Sequence, residues 1–205
     1  FEKVYLDANN NNIRVLLDGT GLDEAFGGYR VHHLIFLCRM KKNKNFKTYL
    51  KDYANKWKIK EEDVNRELNH LSKNSNYVQD GSTFNQNEFT TEYIHSLAKD
   101  HIHKEYSYND NIQKHLLNYI TCSKIPKNTR IKDRQSMSHS IELRMPFLDQ
   151  RIIELGLSLE EENYFNGGLT KSAIRDIMKD RLPKKVRLDQ KRSIQAPQSQ
   201  WLANP

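Results

Sequence analysis

The sequence has few cysteines, glycines and prolines, and it contains no long apolar run. Its two cysteines, Cys38 and Cys122, lie far apart and outside any C-x-x-C pair, which argues against a disulfide framework and against a cysteine metal site. No apolar stretch approaches the length that spans a bilayer, and the first residues, FEKVYLDANNNN, lack the layout of a secretory signal peptide. We therefore expect a cytoplasmic protein with reduced thiols and no membrane partner.

The sequence also lacks a recognisable nucleic-acid-binding module, although its formal net charge is +7. The lysine clusters at 41–44 and 183–185 are typical of solvated faces, and no basic stripe with stacking aromatic residues accompanies them. Nucleic acid is therefore not an expected partner. The 205 residues include two tryptophans, ten tyrosines and eight phenylalanines, which is enough for one sizeable core.

The most informative stretch is residues 13–29, IRVLLDGTGLDEAFGGY. Residues 13–17 predict a short buried strand, because the apolar run is too short for a helix and stops near a glycine. After the loop 18–21, apolar residues recur at three- and four-residue spacing, which predicts one helix from Leu22 to about Arg39. A strand, a glycine-containing turn and a helix N-terminus that meet at one point favour a bound phosphate.

Three carboxylates, Asp18, Asp23 and Glu24, lie in or next to this loop. Carboxylates repel a phosphate unless a hard cation such as Mg²⁺ lies between them, so the stretch predicts a site for a magnesium nucleotide or pyrophosphate. The alternative is an ordinary turn followed by a solvated acidic first helical turn. Both interpretations stay open, because the pattern is neither a P-loop nor a full dinucleotide-binding fingerprint.

The rest of the chain is predominantly helical in its hydrophobic spacing. Further helices are predicted near 1–8, 46–57, 60–72, 88–101 and 111–121. The helix at 60–72 is predicted to be exposed. Of the adjacent histidines in the long helix, we expect His33 to pack and His32 to be exposed.

Residues 124–149, KIPKNTRIKDRQSMSHSIELRMPFLD, interleave charged and apolar residues. Asp149 is placed to cap a following helix. The segment is either a salt-bridged connector packed under a sheet or a place where Glu142 and Arg144 approach an anionic substrate.

Lys171 lies at the start of the last strongly predicted helix. Thr170 is the expected N-cap, Pro183 ends the helix, and the expected buried stripe is Ile174, Ile177, Met178 and Leu182. A lysine in a first turn faces the positive end of the helix dipole, which is unfavourable unless an anion is held there as well. Lys171 is therefore a candidate ligand for an anion.

Three separated segments together resemble the C-terminal half of the synthetase domain of glutamine-hydrolysing asparagine synthetases. They are VLLDGTGLDEAFGGY, DRQSMSHSIELRMPFLD and GLTKSAIRDIMKDRLPKKVRLDQKRSIQAPQSQWL. The family's usual forms are similar in order and spacing: G-x-G-x-DE-x-x-x-GY, then DR-x-SM…E-x-R-x-PFLD, then TK…LR…LP followed by K-R…P…W. Residues 1–205 are thus expected to be the C-terminal portion of such a synthetase domain.

The resemblance implies an α/β fold of the adenine-nucleotide α-hydrolase-like (ATP-pyrophosphatase) type, with a parallel sheet flanked by helices. It implies ATP and Mg²⁺ as cofactors and adenylation of the side-chain carboxylate of aspartate. Ammonia, which a separate N-terminal glutaminase domain releases from glutamine, then gives asparagine, AMP and pyrophosphate. A second copy of the protein, in a homodimer, is also considered as a partner.

By motif, the resemblance implies roles for several residues. Asp23 matches the carboxylate that holds Mg²⁺ and pyrophosphate, and Lys171 matches a lysine that contacts the phosphates in the transition state. Asp18 and Gly19 match the backbone that lines the nucleotide, and Gly21 belongs to the same loop. Glu24 is included in this nucleotide-binding set, whereas Glu142 and Arg144 match a segment whose contact with substrate is left open.

The chain departs from the family's pattern in two ways. Thr20, which we count among the candidate catalytic residues, stands where the family usually has a Glu, Asp or Gln that helps to orient the acyl-adenylate or the ammonia. A threonine hydroxyl is no base at neutral pH. The family's S-G-G-x-D-S pyrophosphate loop and N-terminal nucleophilic cysteine are not in these residues, so we expect both upstream of Phe1 and expect this chain to form part of an active site. Alternatives are a relative that uses another acid or another nucleophile, as in β-lactam synthetases, and a non-catalytic nucleotide-binding relative.

Overall fold

A computed structural model describes residues 2–73 and 111–191, in which helices surround two small sheets. The helices are α1 (Glu2–Asn10), α2 (Leu22–Ala25), α3 (Arg30–Met40), α4 (Phe46–Trp57), α5 (Glu61–Lys73), α6 (Ile112–Asn118), α7 (Ile125–Met137), α8 (Gln150–Leu157), α9 (Glu161–Tyr164), α10 (Ser172–Ile177) and α11 (Lys184–Arg187). The strands are β1 (Val15–Leu17), β2 (Glu142–Arg144), β3 (Phe165–Asn166) and β4 (Leu169–Thr170). The expectation of a mostly helical α/β chain with a parallel sheet is confirmed.

Strand β1 pairs in parallel with β2, with Leu16 opposite Leu143. The predicted strand is thus confirmed, but its predicted burial is wrong, because the Leu17 side chain is 77% exposed. Side chains alternate across a strand, so only Leu16 turns toward α1, where it packs beside buried Tyr5. Beyond Leu17, the backbone N–H of Asp18 still donates to the Arg144 carbonyl at 2.9 Å, which anchors the start of the loop.

The main core is built by α3 to α6 together with α9 and β3. Helix α3 is buried on nearly all sides, from His32 to Cys38, as expected of a helix enclosed by other elements. The predicted exposed helix at 60–72 is instead amphipathic, because Val64, Leu68 and Leu71 of α5 recur on one buried face. The helix predicted over 88–101 lies outside the described residues.

Helix α4 has the predicted bounds, and α6 continues into a π-helical turn at Tyr119–Ser123. Both cysteines are free, with Cys38 buried and Cys122 exposed. Within the residues described, no helix is long and apolar enough to cross a membrane.

The single helix predicted from Leu22 to Arg39 is wrong, because the chain breaks between α2 and α3. Gly27 adopts a left-handed conformation with φ of 68°, which other residues adopt only with strain. The Gly28 N–H donates to the Asp23 carbonyl at 2.7 Å, and a Cβ on Gly28 would collide with the Asp23 carboxylate. The two glycines thus end α2 and make room for Asp23. A helix as short as α2 carries little macrodipole, so any phosphate site here has to depend on side chains.

His32 and His33 are both buried, which corrects the prediction that His32 is exposed. The break before α3 turns His32 inward, where its ring lies 5.3 Å from the Tyr29 ring and 5.0 Å from the Tyr119 ring, between centroids. His33 stacks on Phe165 at 4.6 Å. Burial, with smaller effects of nearby cations, lowers the pKa of each histidine to about 3. Both imidazoles are therefore neutral in the folded protein near neutral pH.

We expect the free energy of unfolding to fall as the pH falls below about 6.5, the pKa of an unfolded histidine. Between that pH and about 3 the unfolded chain binds protons that folded His32 and His33 exclude, so each costs about 1.4 kcal/mol per pH unit. Urea unfolding of the full-length protein at pH 7.5 and 5.5 measures the loss. His33→Phe should make the loss smaller. Equal losses in His33→Phe and the wild type would contradict the burial argument.

Candidate active site

The candidate site lies where β1 ends, which is the edge at which open α/β sheets bind ligands. The loop 18–21 leaves the strand there and leads into α2. Gly21 has a left-handed φ of 102°, and a Cβ at this position would collide with Leu148, so both conformation and packing require glycine. Gly19 has no neighbouring atom within 4 Å of a Cβ position, so its backbone faces open space. The loop thus offers accessible backbone at Gly19.

The first charged cluster at this edge is Asp23 with Lys171 and Lys191. Lys171 Nζ donates to Asp23 Oδ1, and Lys191 Nζ lies 3.0 Å from Asp23 Oδ2. The side chains of Asp23 and Lys171 are 17% and 16% exposed. Burial alone raises the pKa of Asp23, but the two lysines outweigh it and hold that pKa below its usual value. The cluster therefore presents an ionised carboxylate between two cations.

The backbone of Lys171 adopts the left-handed conformation, with φ of 57°. For a residue with a Cβ this costs about 1–2 kcal/mol. The predicted N-cap is therefore wrong: Thr170 is buried in β4, opposite Phe165, and Lys171 itself precedes α10. The predicted buried stripe also fails in part, since Ile177 is 67% and Leu182 38% exposed. The helix ends at Ile177, so the predicted end at Pro183 is wrong as well. The β3–β4 hairpin keeps the chain extended through Thr170, so the helix starts one residue later than the sequence predicts.

A second charged cluster joins the loop to α7. Lys132 Nζ lies 3.0 and 2.8 Å from the two carboxylate oxygens of Asp18 and 2.7 Å from Thr20 Oγ1. Asp18 also accepts hydrogen bonds from the Thr20 N–H at 2.7 Å and from the Thr20 hydroxyl. Burial raises the pKa of Asp18, but Lys132 and Thr20 lower it further than burial raises it. Lys132 could not be predicted as a site residue, because nothing in its local sequence pattern links it to Asp18, 114 residues away.

Glu24 points to the interior. Its side chain is buried and accepts a hydrogen bond from the Tyr29 hydroxyl. The Lys124 ammonium lies 3.9 Å from the centre of the Tyr29 ring, and burial together with Glu24 raises the pKa of Tyr29. Glu24 thus has a partner within the protein, and its assignment to nucleotide binding stays a prediction.

Glu142 and Arg144 lie on β2 and form an ion pair with each other, with Arg144 Nε 2.9 Å from Glu142 Oε1. Their side chains are 57% and 62% exposed, on the face opposite Leu143. The Arg144 carbonyl accepts the Asp18 N–H at the start of the loop. Asp149 caps α8 as predicted, since its carboxylate accepts the Arg151 N–H at 2.9 Å.

A cavity of about 360 Å³ opens beside Lys171, between α10 and α11. Its lining includes four cationic side chains, Lys171, Arg175, Arg187 and Lys191, together with the Asp189 carboxylate and several apolar side chains. Among the described residues, Arg187 Nε is buried without a hydrogen-bond partner. Cationic donors of this kind suit anionic oxygens, and phosphate oxygens are the commonest such groups in nucleotide substrates.

The described part of the chain contains no cluster of three or more side chains that could together hold a metal ion. Mg²⁺ in nucleotide sites is usually held by one or two carboxylates together with phosphate oxygens, and a magnesium site at this loop stays a prediction. The ionised carboxylate of Asp23 is a donor of this kind.

Comparison with known proteins gives a consistent result. The family model described as asparagine synthase matches residues 3–205. Asparagine synthetase (glutamine-hydrolyzing) 1 of Bacillus subtilis (strain 168) is 24% identical over 206 residues, which cover 94% of this chain and 32% of the relative. The chain thus spans about a third of the length of that curated relative. No solved structure matches the chain significantly. Because the family model covers nearly the whole sequence, the chain belongs to the asparagine synthase family.

Proposed function

We propose that this chain forms part of the synthetase site of an ATP-dependent, amide-forming ligase with an adenine-nucleotide α-hydrolase-like domain. The observation that carries the proposal is the cluster of Asp23, Lys171 and Lys191, which lies beside a cavity whose lining includes four cations. Adenylation places negative charge on the α-phosphate and on the departing pyrophosphate. An ionised carboxylate for a metal ion and several cations are the groups that such a reaction requires.

In the proposed reaction, a carboxylate oxygen of the acid attacks the α-phosphorus of ATP, and the bond to pyrophosphate breaks. Ammonia then attacks the acyl carbon, the bond to AMP breaks, and the nitrogen loses a proton. We assign the side-chain carboxylate of aspartate as the acid, which makes asparagine the product. In the full-length protein an N-terminal glutaminase domain would supply the ammonia from glutamine.

Asp23 would hold Mg²⁺ through its carboxylate, and the bound ion would neutralise charge on the phosphate oxygens. Lys171 now pairs with Asp23, so its ammonium lies where it would donate to the phosphates once the carboxylate turns to the metal ion. The backbone at Gly19, which faces open space, would line the nucleotide together with Gly21. Arg175 and Arg187 would bind the outer oxygens of pyrophosphate from the cavity.

Thr20 supports a second candidate, a related ligase that adenylates another acid or uses another amine. Its hydroxyl donates to Asp18 and accepts from Lys132, and a hydroxyl supplies no base for the attacking amine at neutral pH. A ligase of this kind would keep the adenylation chemistry and change only the substrate.

ATP–pyrophosphate exchange by the full-length protein tests the proposal. We expect exchange that requires both aspartate and Mg²⁺, because the labelled pyrophosphate returns to ATP only through an acyl-adenylate. A panel of other acids, including glutamate, succinate and β-alanine, defines the substrate. Exchange with another acid but not with aspartate would select the second candidate. No exchange with any acid, by protein shown to be folded, would overturn the proposed function.

A further inference from the structure

We propose that Asp18 and Lys132 form a recognition pair for the α-ammonium and α-carboxylate groups of an amino-acid substrate. The ammonium would bind Asp18 and the carboxylate would bind Lys132. This inference rests on the proposed function, since it names how the same site would select an amino acid among carboxylic acids.

The position of the pair suits a ligand. Asp18 is the first residue after β1 and Lys132 reaches it from α7, so the two groups meet at the edge of the sheet where Gly19 is open. Their side chains are 18% and 17% exposed, which leaves part of each charge accessible while most of its surroundings are protein. Charges in such partly dry positions attract a ligand more strongly than fully solvated charges.

The pairing of opposite charges favours one class of ligand. A zwitterion that enters between Asp18 and Lys132 replaces one ion pair by two and adds no net charge to the site. A dicarboxylate without an ammonium group would bring an anion against the Asp18 carboxylate, whose pKa is already held low and which therefore stays ionised. Thr20 Oγ1, which bonds both partners now, would remain available to either end of the ligand.

The second carboxylate of the substrate fits the same arrangement. Asp18 and Asp23 flank one loop, with the amino-acid pair at its start and the proposed phosphate cluster after its end. An amino acid held by its α groups at Asp18 and Lys132 would direct its side-chain carboxylate along the loop toward the nucleotide. This predicts that the side chain, and not the α-carboxylate, is the group that is adenylated.

Two variants and two substrate analogues test the pair in the full-length protein. Succinate lacks the α-ammonium group of aspartate, and β-alanine lacks its α-carboxylate. For Asp18→Asn we expect the ratio of kcat/KM for aspartate to that for succinate to fall at least about tenfold. For Lys132→Met we expect a similar fall in the ratio of aspartate to β-alanine. Arg39→Met, which breaks an ion pair between α3 and α9, is the matched control and should change neither ratio.

If either variant fails to fold, the double variant Asp18→Lys with Lys132→Asp keeps the ion pair but reverses it. It should fold and should lose selectivity for aspartate in both ratios. Unchanged ratios in the folded variants would overturn the recognition pair.

Calorimetric titration of aspartate without ATP separates this inference from the proposed function. Binding by the wild type that weakens at least about tenfold in Asp18→Asn or Lys132→Met supports the pair even if no acid gives exchange. Equal binding by the wild type and both variants, or no binding by the wild type, would overturn it.

Discussion

Asp23→Asn is expected to lower ATP–pyrophosphate exchange by about 100-fold or more. The substitution keeps the shape of the side chain but removes the charge that Lys171 and Lys191 now surround. Without the carboxylate, the proposed site loses its only assigned protein ligand for Mg²⁺, and two cations are left without their counter-ion. Exchange should therefore fall, and the residual rate should depend less on the Mg²⁺ concentration.

The matched control is Asp176→Asn on α10. The Asp176 side chain is 76% exposed, and its Oδ1 lies 3.9 Å from Arg187 Nη1. The substitution therefore removes a carboxylate near the cavity and leaves the Asp23 cluster intact. We expect its exchange to stay within about threefold of the wild type. Circular dichroism and urea unfolding establish that both variants are folded. Exchange by Asp23→Asn at nearly the wild-type rate would remove Asp23 from the site.

The helices and the loop were largely predictable from the sequence because they depend on local patterns. The spacing of the apolar residues in α4 predicts its bounds, and the glycines of the loop 18–21 indicate a turn after β1. Local spacing, however, also predicted a single helix across Gly27 and Gly28, where the backbone turns away instead. The spacing of apolar residues indicates which face of a helix is buried. It does not reveal that a glycine between those residues adopts a left-handed conformation and ends the helix.

The assembly of the charged clusters was less predictable. Asp23 and Lys171 are 148 residues apart, and only the resemblance to a family indicated that they belong to one site. Lys132 and Lys191 were not named as site residues, because their partners are set by the parallel pairing of β1 with β2 and by the fold of the residues after α11. Long-range ion pairs depend on tertiary structure, so composition and spacing carry little information about them.

Thr20 shows how the structure changes the meaning of a departure from the family's pattern. From the sequence, Thr20 is the loss of a side chain that could orient the amine or the adenylate. In the structure its hydroxyl and N–H bind Asp18, and Lys132 completes the group. The carboxylate of Asp18 therefore lies two residues before the position where the family usually has an acidic or amide side chain. Lys132 of α7 neutralises its charge.

The backbone of Lys171 makes its substitution informative about both stability and catalysis. A lysine with φ of 57° is held in a conformation that glycine adopts without strain. Lys171→Gly should therefore be about 1 kcal/mol more stable to unfolding than Lys171→Ala. Urea unfolding of the two variants measures this difference. An equal stability would indicate that the backbone relaxes when the side chain is removed.

Both Lys171 variants are expected to lose exchange, by about 100-fold to 1,000-fold, because the ammonium next to Asp23 would no longer contact the phosphates. The effect should be the same in Lys171→Gly and Lys171→Ala despite their different stabilities, which separates the role of the side chain from that of the backbone. Lys171→Arg keeps the charge but not the shape of the ammonium, so it should recover only part of the rate. Lys184→Met, at an exposed lysine of α11, is the control and should retain the wild-type rate. Exchange by Lys171→Gly at the wild-type rate would contradict the assigned role of the Lys171 ammonium. The phosphate contact would then be assigned to Lys191, the other cation that pairs with Asp23.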